Sequence, residues 1–410
     1  MSTPDTKVEI AFDLSDVDPN FFTLDDVVKG ELDNVTYLLA GDILQDVTES
    51  VRRVSIKRGR SRELDRYSTG QATVVLDNRS RDFDPTNTAS PYNGQILPRK
   101  AVQVSVAGFP ALVGNVQDWS FVYELSGDAT SSISVVDGFA ILSRQAVDNV
   151  AVIEQSSSDR VDAILTQVAW PTAKRSIDSG VTTLAAGTAT SNALSYLQEI
   201  ETCEAGDFFI SGSGLATFRA RQSVASNPYD AAIGYDANVG YTSALPAVTS
   251  DLIFTDETDD GSSTFVPYIS LGLELGTDQL FNQAELTYNS ETITAQDVAS
   301  QTTYGAAVLT SNVSLLSNEA QGTALAEYLV AKYAQPVTRL TDVSVELAGL
   351  PTDILGKLLT LDLGDVVKVR FQPAGVGERV ERRSIVEGIE HDIGLSSHRV
   401  LFRFSGASGS

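Results

Sequence analysis

The sequence predicts a mainly β protein: two small antiparallel β-barrel domains with α+β segments inserted between them. Three observations carry that reading. Short period-two runs bounded by Gly, Pro, Asn and Asp fill residues 1–154 and recur in 337–410. The composition is rich in Thr, Ser and Val and holds 30 glycines, which favours strands joined by many turns. Helical periodicity is confined to the middle, in a small α+β domain at 155–222 and a mixed β/α domain with an acidic loop at 223–336. A chain of 410 residues is too long for one ordinary core, so several domains are expected.

VEIAFDL (8–14) alternates and reads as the first strand. Asp16, Asp18 and Asn20 follow with the spacing of a calcium loop. Phe21 stands where that loop needs Gly and Val27 where it needs Glu, so the segment reads as an acidic turn. Residues 42–59 form a long β stretch in which Val51 is offset from Val54 and Ile56, which predicts a bulge at Arg52–Arg53. In QATVVLDN, Ala72, Val74 and Leu76 share one face. The segment 79–98, RSRDFDPTNTASPYNGQILP, has no period. A connection this long is expected to be pinned by its own packing, with Phe83, Pro85 and Tyr92 as the pins. AVQVSV (101–106), FPALVGNVQDWSFVYEL (109–125) and SSISVVDG (131–138) complete the antiparallel set.

After Gln155 the period changes. Val161, Ile164, Leu165 and Val168 have helical spacing, with Ser157 or Ser158 as the N-cap and Pro171 as the stop. A second helix carries Leu194, Leu197 and Ile200 on one face and Gly206 beyond its end. A hairpin follows, Phe208–Ile210 and Leu215–Arg219. Residues 223–280 are polar and punctuated, with an acidic tip at Asp256–Asp260 that reads as a solvated loop. FNQAELTY (281–288) is a strand, 317–336 a helix capped by Ser317 and stopped by Pro336, and 337–347 a strand. The end is antiparallel β again. GDVVKVRF, a turn, a long strand through Ile385–His391, the turn GLSS and HRVLFRF repeat the order of the strands between 101 and 138, so two related barrels are expected.

The chain offers little chemistry. Cys203 lies on an apolar-patterned helix and reads as a core residue. His391 and His398 flank a turn and face each other across a hairpin, but two histidines without a third ligand make a poor metal site. Carboxylate pairs such as Asp82/Asp84 and Glu199/Glu201 are expected by chance in so acidic a chain. No catalytic, cofactor or metal residue is assigned. No run of eighteen apolar residues exists, so no membrane-spanning segment is expected, and the single cysteine fits a reducing compartment.

Charge singles out one stretch. Residues 51–100 hold eleven Lys/Arg against five Asp/Glu, a local +6 in a chain of −25, so the remainder carries −31. The acidic balance argues against nucleic-acid binding. The basic stretch is read as a patch for an acidic surface, with another copy of this chain as the first candidate. Its candidate interface residues are Arg52, Arg53, Arg58, Arg60, Arg62, Arg66, Arg79, Arg81, Arg99 and Lys100.

Within this stretch Arg58–Gly59, Gly70, Leu76–Asp77–Asn78, Phe83–Asp84–Pro85, Ser90–Pro91–Tyr92 and Pro98–Arg99 resemble a pattern in tail-tip (baseplate) hub and minor tail proteins of long-tailed bacteriophages. Ala101 replaces the usual Pro after the basic pair. The match is closest over 58–104 and looser elsewhere. The resemblance implies a tail-hub-like fold and a structural virion protein at the tail tip, synthesised in the bacterial host cytoplasm. It implies a trimeric ring of quasi-sixfold symmetry that joins the sixfold tail tube to a threefold tip. The implied partners are further copies of the chain, the distal tail protein, the tape-measure protein and tail-tip fibre or spike proteins, with DNA only in transit. The alternatives are a hexameric distal tail protein, a receptor- or carbohydrate-binding minor tail protein, and a peptidoglycan-cleaving component, for which no site speaks.

Overall fold

A computed structural model describes residues 3–12, 44–221, 250–257, 264–372, 377 and 379–406. The first strands are β1 (Thr6–Ala11), β2 (Leu44–Asp46), β3 (Val51–Gly59), β4 (Ser68–Asp77), β5 (Ala101–Val106), β6 (Phe109–Tyr123) and β7 (Ala129–Val136). Helix α1 (Gly138–Leu142), β8 (Ala146–Val152) and β9 (Gln155–Ser156) lead to α2 (Ser157–Gln167). There follow β10 (Arg175–Ile177), β11 (Thr183–Leu184), β12 (Gly187–Asn192), α3 (Ala193–Glu204), β13 (Asp207–Ile210) and β14 (Ala216–Arg219). The later part contains β15 (Ile253–Thr255), β16 (Phe265–Pro267), β17 (Ser270–Glu274), β18 (Gln283–Tyr288), β19 (Glu291–Gln296), α4 (Val298–Tyr304), β20 (Val308–Asn312) and α5 (Glu319–Tyr333). It ends with β21 (Arg339–Glu346), α6 (Thr352–Leu359), β22 (Val366–Phe371), β23 (Val380–Ile393) and β24 (His398–Gly406). No helix among the described residues is long and apolar enough to cross a membrane.

The fold is mainly β with α+β insertions, and its β part is built twice. The first set pairs in the order β2-β1-β5-β6-β7-β4-β3 and the second in the order β16-β15-β22-β23-β24-β21-β17. Taken in chain order, each strand of one set has the same neighbours as its counterpart in the other. In both sets the long middle strand pairs with the preceding strand along its first half and with the following strand along its second. Even the irregularity recurs: the register slips between Val116 and Asp118 in β6, and between Val386 and Gly388 in β23. The sets differ where β15 meets β16 and β22 in parallel, while β1 meets β2 and β5 antiparallel. The expected repeat thus extends to seven strands, and the second copy begins at Ile253 and encloses the segment from β18 to α5.

Among the described residues neither set closes on itself by pairing. Instead β3 of the first set pairs antiparallel with β23 of the second, from Val54↔Ile393 to Gly59↔Gly388, and fuses both into one sheet of fourteen strands. Val54 and Ile56 point into the core, as do Ala72, Val74 and Leu76. The predicted bulge lies between Val51 and Arg53. The α+β segment gains a strand that its sequence hides: β10 runs parallel to β14 beside the expected β13–β14 hairpin.

The helix starts shift by one residue from the expected caps. Ser156 Oγ accepts from Asp159 N–H at the start of α2, and Asn318 Oδ1 accepts from Gln321 N–H at the start of α5, in place of Ser157 or Ser158 and Ser317. Ser157 is instead buried, donating to the Glu204 carboxylate at 2.7 Å. The calcium-like turn at Asp16–Asn20 lies outside the described residues.

The loop after β4 is a chain of tandem turns. Backbone N–H groups of Arg81, Asp84, Asn87, Ser90 and Asn93 each donate to the carbonyl three residues back. Side chains lock the steps: Asn78 Oδ1 accepts from Phe83 N–H, Asp84 from Thr86, Asn87 from Ala89 and Ser90 Oγ from Tyr92. Phe83 is buried and stacks on Tyr92, which stacks on Phe12. Phe83 and Tyr92 thus pack from the loop onto Phe12. Pro85, the third expected pin, is exposed at the rim of a shallow pocket beside Phe121 and Tyr123.

Candidate functional site

The basic stretch is where the separate parts of the chain meet. Arg53 pairs with Asp392 at 2.9 Å and Lys57 with Glu390 at 3.2 Å, both across the β3–β23 seam. Arg58 is buried and reaches Asp362 at 2.7 Å. Arg62 pairs with Asp278 at 3.0 Å, Glu63 with Lys332 of α5 at 2.5 Å, and Arg66 lies 3.5 Å from Gln198 of α3. A strand of alternating side chains followed by a tight loop thus sends charged side chains to β23, α3, α5 and the segments that hold Asp278 and Asp362.

Arg60 is the centre. Its side chain is 8% exposed. Nε donates to Glu387 Oε2 at 2.6 Å, and Nη2 lies 2.9 Å from Asp207 Oδ1. The guanidinium stacks 4.3 Å over the Tyr67 ring, and the Tyr67 hydroxyl donates to the same Glu387 oxygen at 3.0 Å. Glu387 is the extra residue of the β23 bulge, and the bulge places its side chain in the interior. Glu201 of α3 and Asp207 border the same cleft, of about 340 Å³, with Glu63, Lys332 and Tyr333 on its far side.

Glu63, Glu201, Asp207 and Glu387 are buried here beside Arg60 and Lys332, and the environment shifts several of these groups. Desolvation, with Asp207 nearby, pushes the Glu201 carboxyl up to about 8. Desolvation likewise raises Glu387, and Arg60 opposes it. For Glu63 and Lys332 burial disfavours both charges, but their mutual attraction wins, so the carboxyl falls and the ammonium rises. Glu201 keeps its proton when folded up to about pH 8 but when unfolded only to about 4.5. Its stabilising contribution is therefore complete below about pH 4.5 and is lost as pH climbs through 8. Asp137, raised by burial to about 7, adds the same sign. Unfolding free energy is expected to fall between about pH 5 and 8, and Glu201→Gln to remove up to ~1.4 kcal/mol per pH unit of that slope. Urea titrations at several pH values check this; a variant with the wild-type slope would refute it.

The other sequence candidates are placed as follows. Arg52 makes a two-pronged contact with Asp128, Arg79 pairs with Asp77, Arg81 with Asp84, and Lys100 donates to Gln95 Oε1. Arg99 is exposed with a φ of 67°. Arg58 and Arg60 are interior side chains, so they are unavailable to a neighbouring subunit; reversing their charge would break the fold before any contact. Cys203 is buried and desolvation pushes its thiol up to about 12. His391 Nδ1 and His398 Nε2 lie 3.1 Å apart in the core, and burial lowers both rings, His398 to about 4. Among the described residues no group of three His, Cys, Asp or Glu is placed to hold a metal.

Sequence reasoning missed Glu387, Asp207 and Lys332, and set Glu201 aside as one of a chance pair of carboxylates. The one signal was Glu387, a charge inside the apolar run SIVEGI.

No family model and no curated protein matches the sequence. Solved structures do. A tail protein from Neisseria meningitidis MC58 superposes with a TM-score of 0.59 at 13% identity, over 98% of this chain and 96% of that one. The chain has the fold of phage-type tail proteins. The 43 kDa tail protein of prophage MuSo2 from Shewanella oneidensis superposes with a TM-score of 0.55 at 13% identity, over 90% and 95%. At such identity the shared property is the tail-protein fold, the mainly β architecture with α+β insertions described above.

Proposed function

We propose that the chain is a structural protein of a phage tail tip. Three copies form a ring that joins the sixfold tail tube to the threefold tip and surrounds the channel through which the tape-measure protein and then DNA leave. The internal duplication carries this reading. Three chains with two equivalent seven-strand sets each supply six similar units, the number needed to face a sixfold tube. The likeness to tail proteins supports the setting. The net charge of −25 supports passage, because DNA phosphates find few cations to hold them.

On this reading the distal tail protein lies on the tube side and fibre or spike proteins on the other. The exposed arginines Arg53, Arg62, Arg66, Arg79, Arg81 and Arg99, with Lys57, are the members of the basic stretch available to neighbours. The role is structural, without catalysis. Native mass spectrometry of the assembled protein tests it. The expected mass is three times 43.8 kDa. Six times that mass would replace the reading with a hexameric distal-tail-type ring, and a monomer would overturn it.

A further inference from the structure

The two strand sets are equivalent in pairing but not in what covers them. On β23, β24 occupies one side from Ser384 to Ile393. The other side is shared by β22, from Val380 to Ile385, and β3, from Gly388 to Ile393. On β6, β7 occupies one side from Asn115 to Tyr123, and β5 covers the other only from Phe109 to Asn115. Among the described residues no strand lies against the rest of that side, Asp118 to Tyr123. This half is the counterpart of the half of β23 that β3 covers. The strand equivalent to β3 is β17, and among the described residues it pairs with β21 alone. Each set therefore has one edge half and one partner strand, and within the chain only one of the two possible joins is made.

Exposure follows the same division. β23 is largely buried from Ser384 to Ile393, while β6 is largely exposed from Gln117 to Tyr123. Of the fifteen large apolar side chains exposed among the described residues, six lie on the two unused elements or just beyond them: Val122, Tyr123, Leu125, Ile269, Leu273 and Leu275. An apolar strand edge without Lys or Pro is a template for another strand.

We propose that β17 of one copy adds antiparallel to the open half of β6 in the next copy, repeating between chains the β3–β23 join made within each chain. The repeat fixes the register. Ile393 faces Val54 across the existing join. Tyr123 is the counterpart of Ile393, five positions beyond the residue after the shared slip, Asp118 or Gly388. Leu271 is the counterpart of Val54, because Leu271 faces Val343 and Val54 faces Val74, and these face the equivalent Phe402 and Ile133. Leu271 therefore lies opposite Tyr123 of the neighbour. The contact joins two different surfaces, so it is heterologous and builds a closed ring when the rotation closes. The seam differs in chemistry from its internal counterpart: Val122 stands where Asp392 pairs with Arg53, so it is apolar rather than ionic.

The inference rests on the ring reading only for closure at three copies, and one experiment separates the two. Directly opposed strand residues have Cα atoms within disulfide range. The full-length double variant Leu271→Cys with Tyr123→Cys is oxidised and run without reductant, beside each single variant and beside the native mass of the wild type. The expected result is a ladder of linked dimers and trimers from the double variant, none from either single variant, and a trimeric wild-type mass. A trimeric mass without linked chains overturns the seam and leaves the ring. Linked chains in an open series overturn the closed ring and leave the seam. A disulfide confined to single chains overturns the seam, since the chain then covers its own edge. Val122→Lys is the second readout: it is expected to abolish the trimer peak while leaving thermal unfolding of the monomer unchanged, and a persistent trimer counts against the seam.

Discussion

Arg60→Ala is expected to lower the unfolding free energy by about 3–5 kcal/mol, the cost of removing one partner from a buried charge network. The guanidinium is the hydrogen-bonding and stacking partner that Glu387, Asp207 and Tyr67 share. Burial alone would disfavour its charge, yet Asp207 and Glu387 hold its pKa well above the ordinary value. Without it, Glu387 keeps one hydrogen bond from Tyr67, and its Oε1 is already without a partner. Arg62→Ala is the matched control. Arg62 and Asp278 are both more than half exposed, so their ion pair contributes ~1 kcal/mol or less. Equilibrium urea unfolding of both variants checks the contrast, and equal losses would sink the idea of a desolvated centre. Adding Glu387→Gln to Arg60→Ala should cost less than the sum of the two, because both act on one network.

Gly59→Ala should be nearly as damaging, for a different reason. Gly59 has a φ of +100°, a conformation that costs a side-chain-bearing residue ~1–3 kcal/mol. A Cβ there would also stand 2.2 Å from the Glu387 carbonyl oxygen and 2.6 Å from Gly388 Cα. Those atoms are backbone on the facing strand, so relief requires β3 and β23 to part at the one strand pairing that joins the two sets among the described residues. Loss of that join should appear as a loss of cooperativity, with two unfolding steps by calorimetry. Gly127→Ala isolates the conformational part: φ is +90° and nothing lies within 4 Å of the added methyl. A single transition for Gly59→Ala with the modest loss of Gly127→Ala would refute the seam's importance.

Local patterns were legible wherever a side chain's role depends on its near neighbours. The alternation of Ala72, Val74 and Leu76 marked a buried strand face. The offset of Val51 marked a bulge. In the loop after β4, Asn78, Asp84, Asn87 and Ser90 recur at multiples of three, and each locks a turn; the sequence showed turn formers, and the tandem order came from the backbone. The caps slipped by one residue because Ser156, Ser157 and Ser158 offer the same hydroxyl, and which of them is drawn into the core by Glu204 depends on a contact 47 positions away. Helix α6 went unread because it is only eight residues long, barely two turns in which to show a helical period, and its Pro351 start resembles a turn.

By itself the sequence determined the mainly β class, the repeated order of the last three strands in each set and the basic character of the stretch that begins at Val51. Each follows from local propensity, spacing or counting. Only the tertiary structure decided what that stretch does. Its arginines looked like a surface for another molecule because charge is normally solvated. Arg58 and Arg60 are instead enclosed, since the carboxylates that neutralise them come from positions 207, 362 and 387. Pairing between residues so far apart depends on which strand lies beside which, and period-two patterns are blind to that choice. The same blindness hid the bare edge of β6, because exposed and covered halves of a strand alternate in the same way until their neighbours are known.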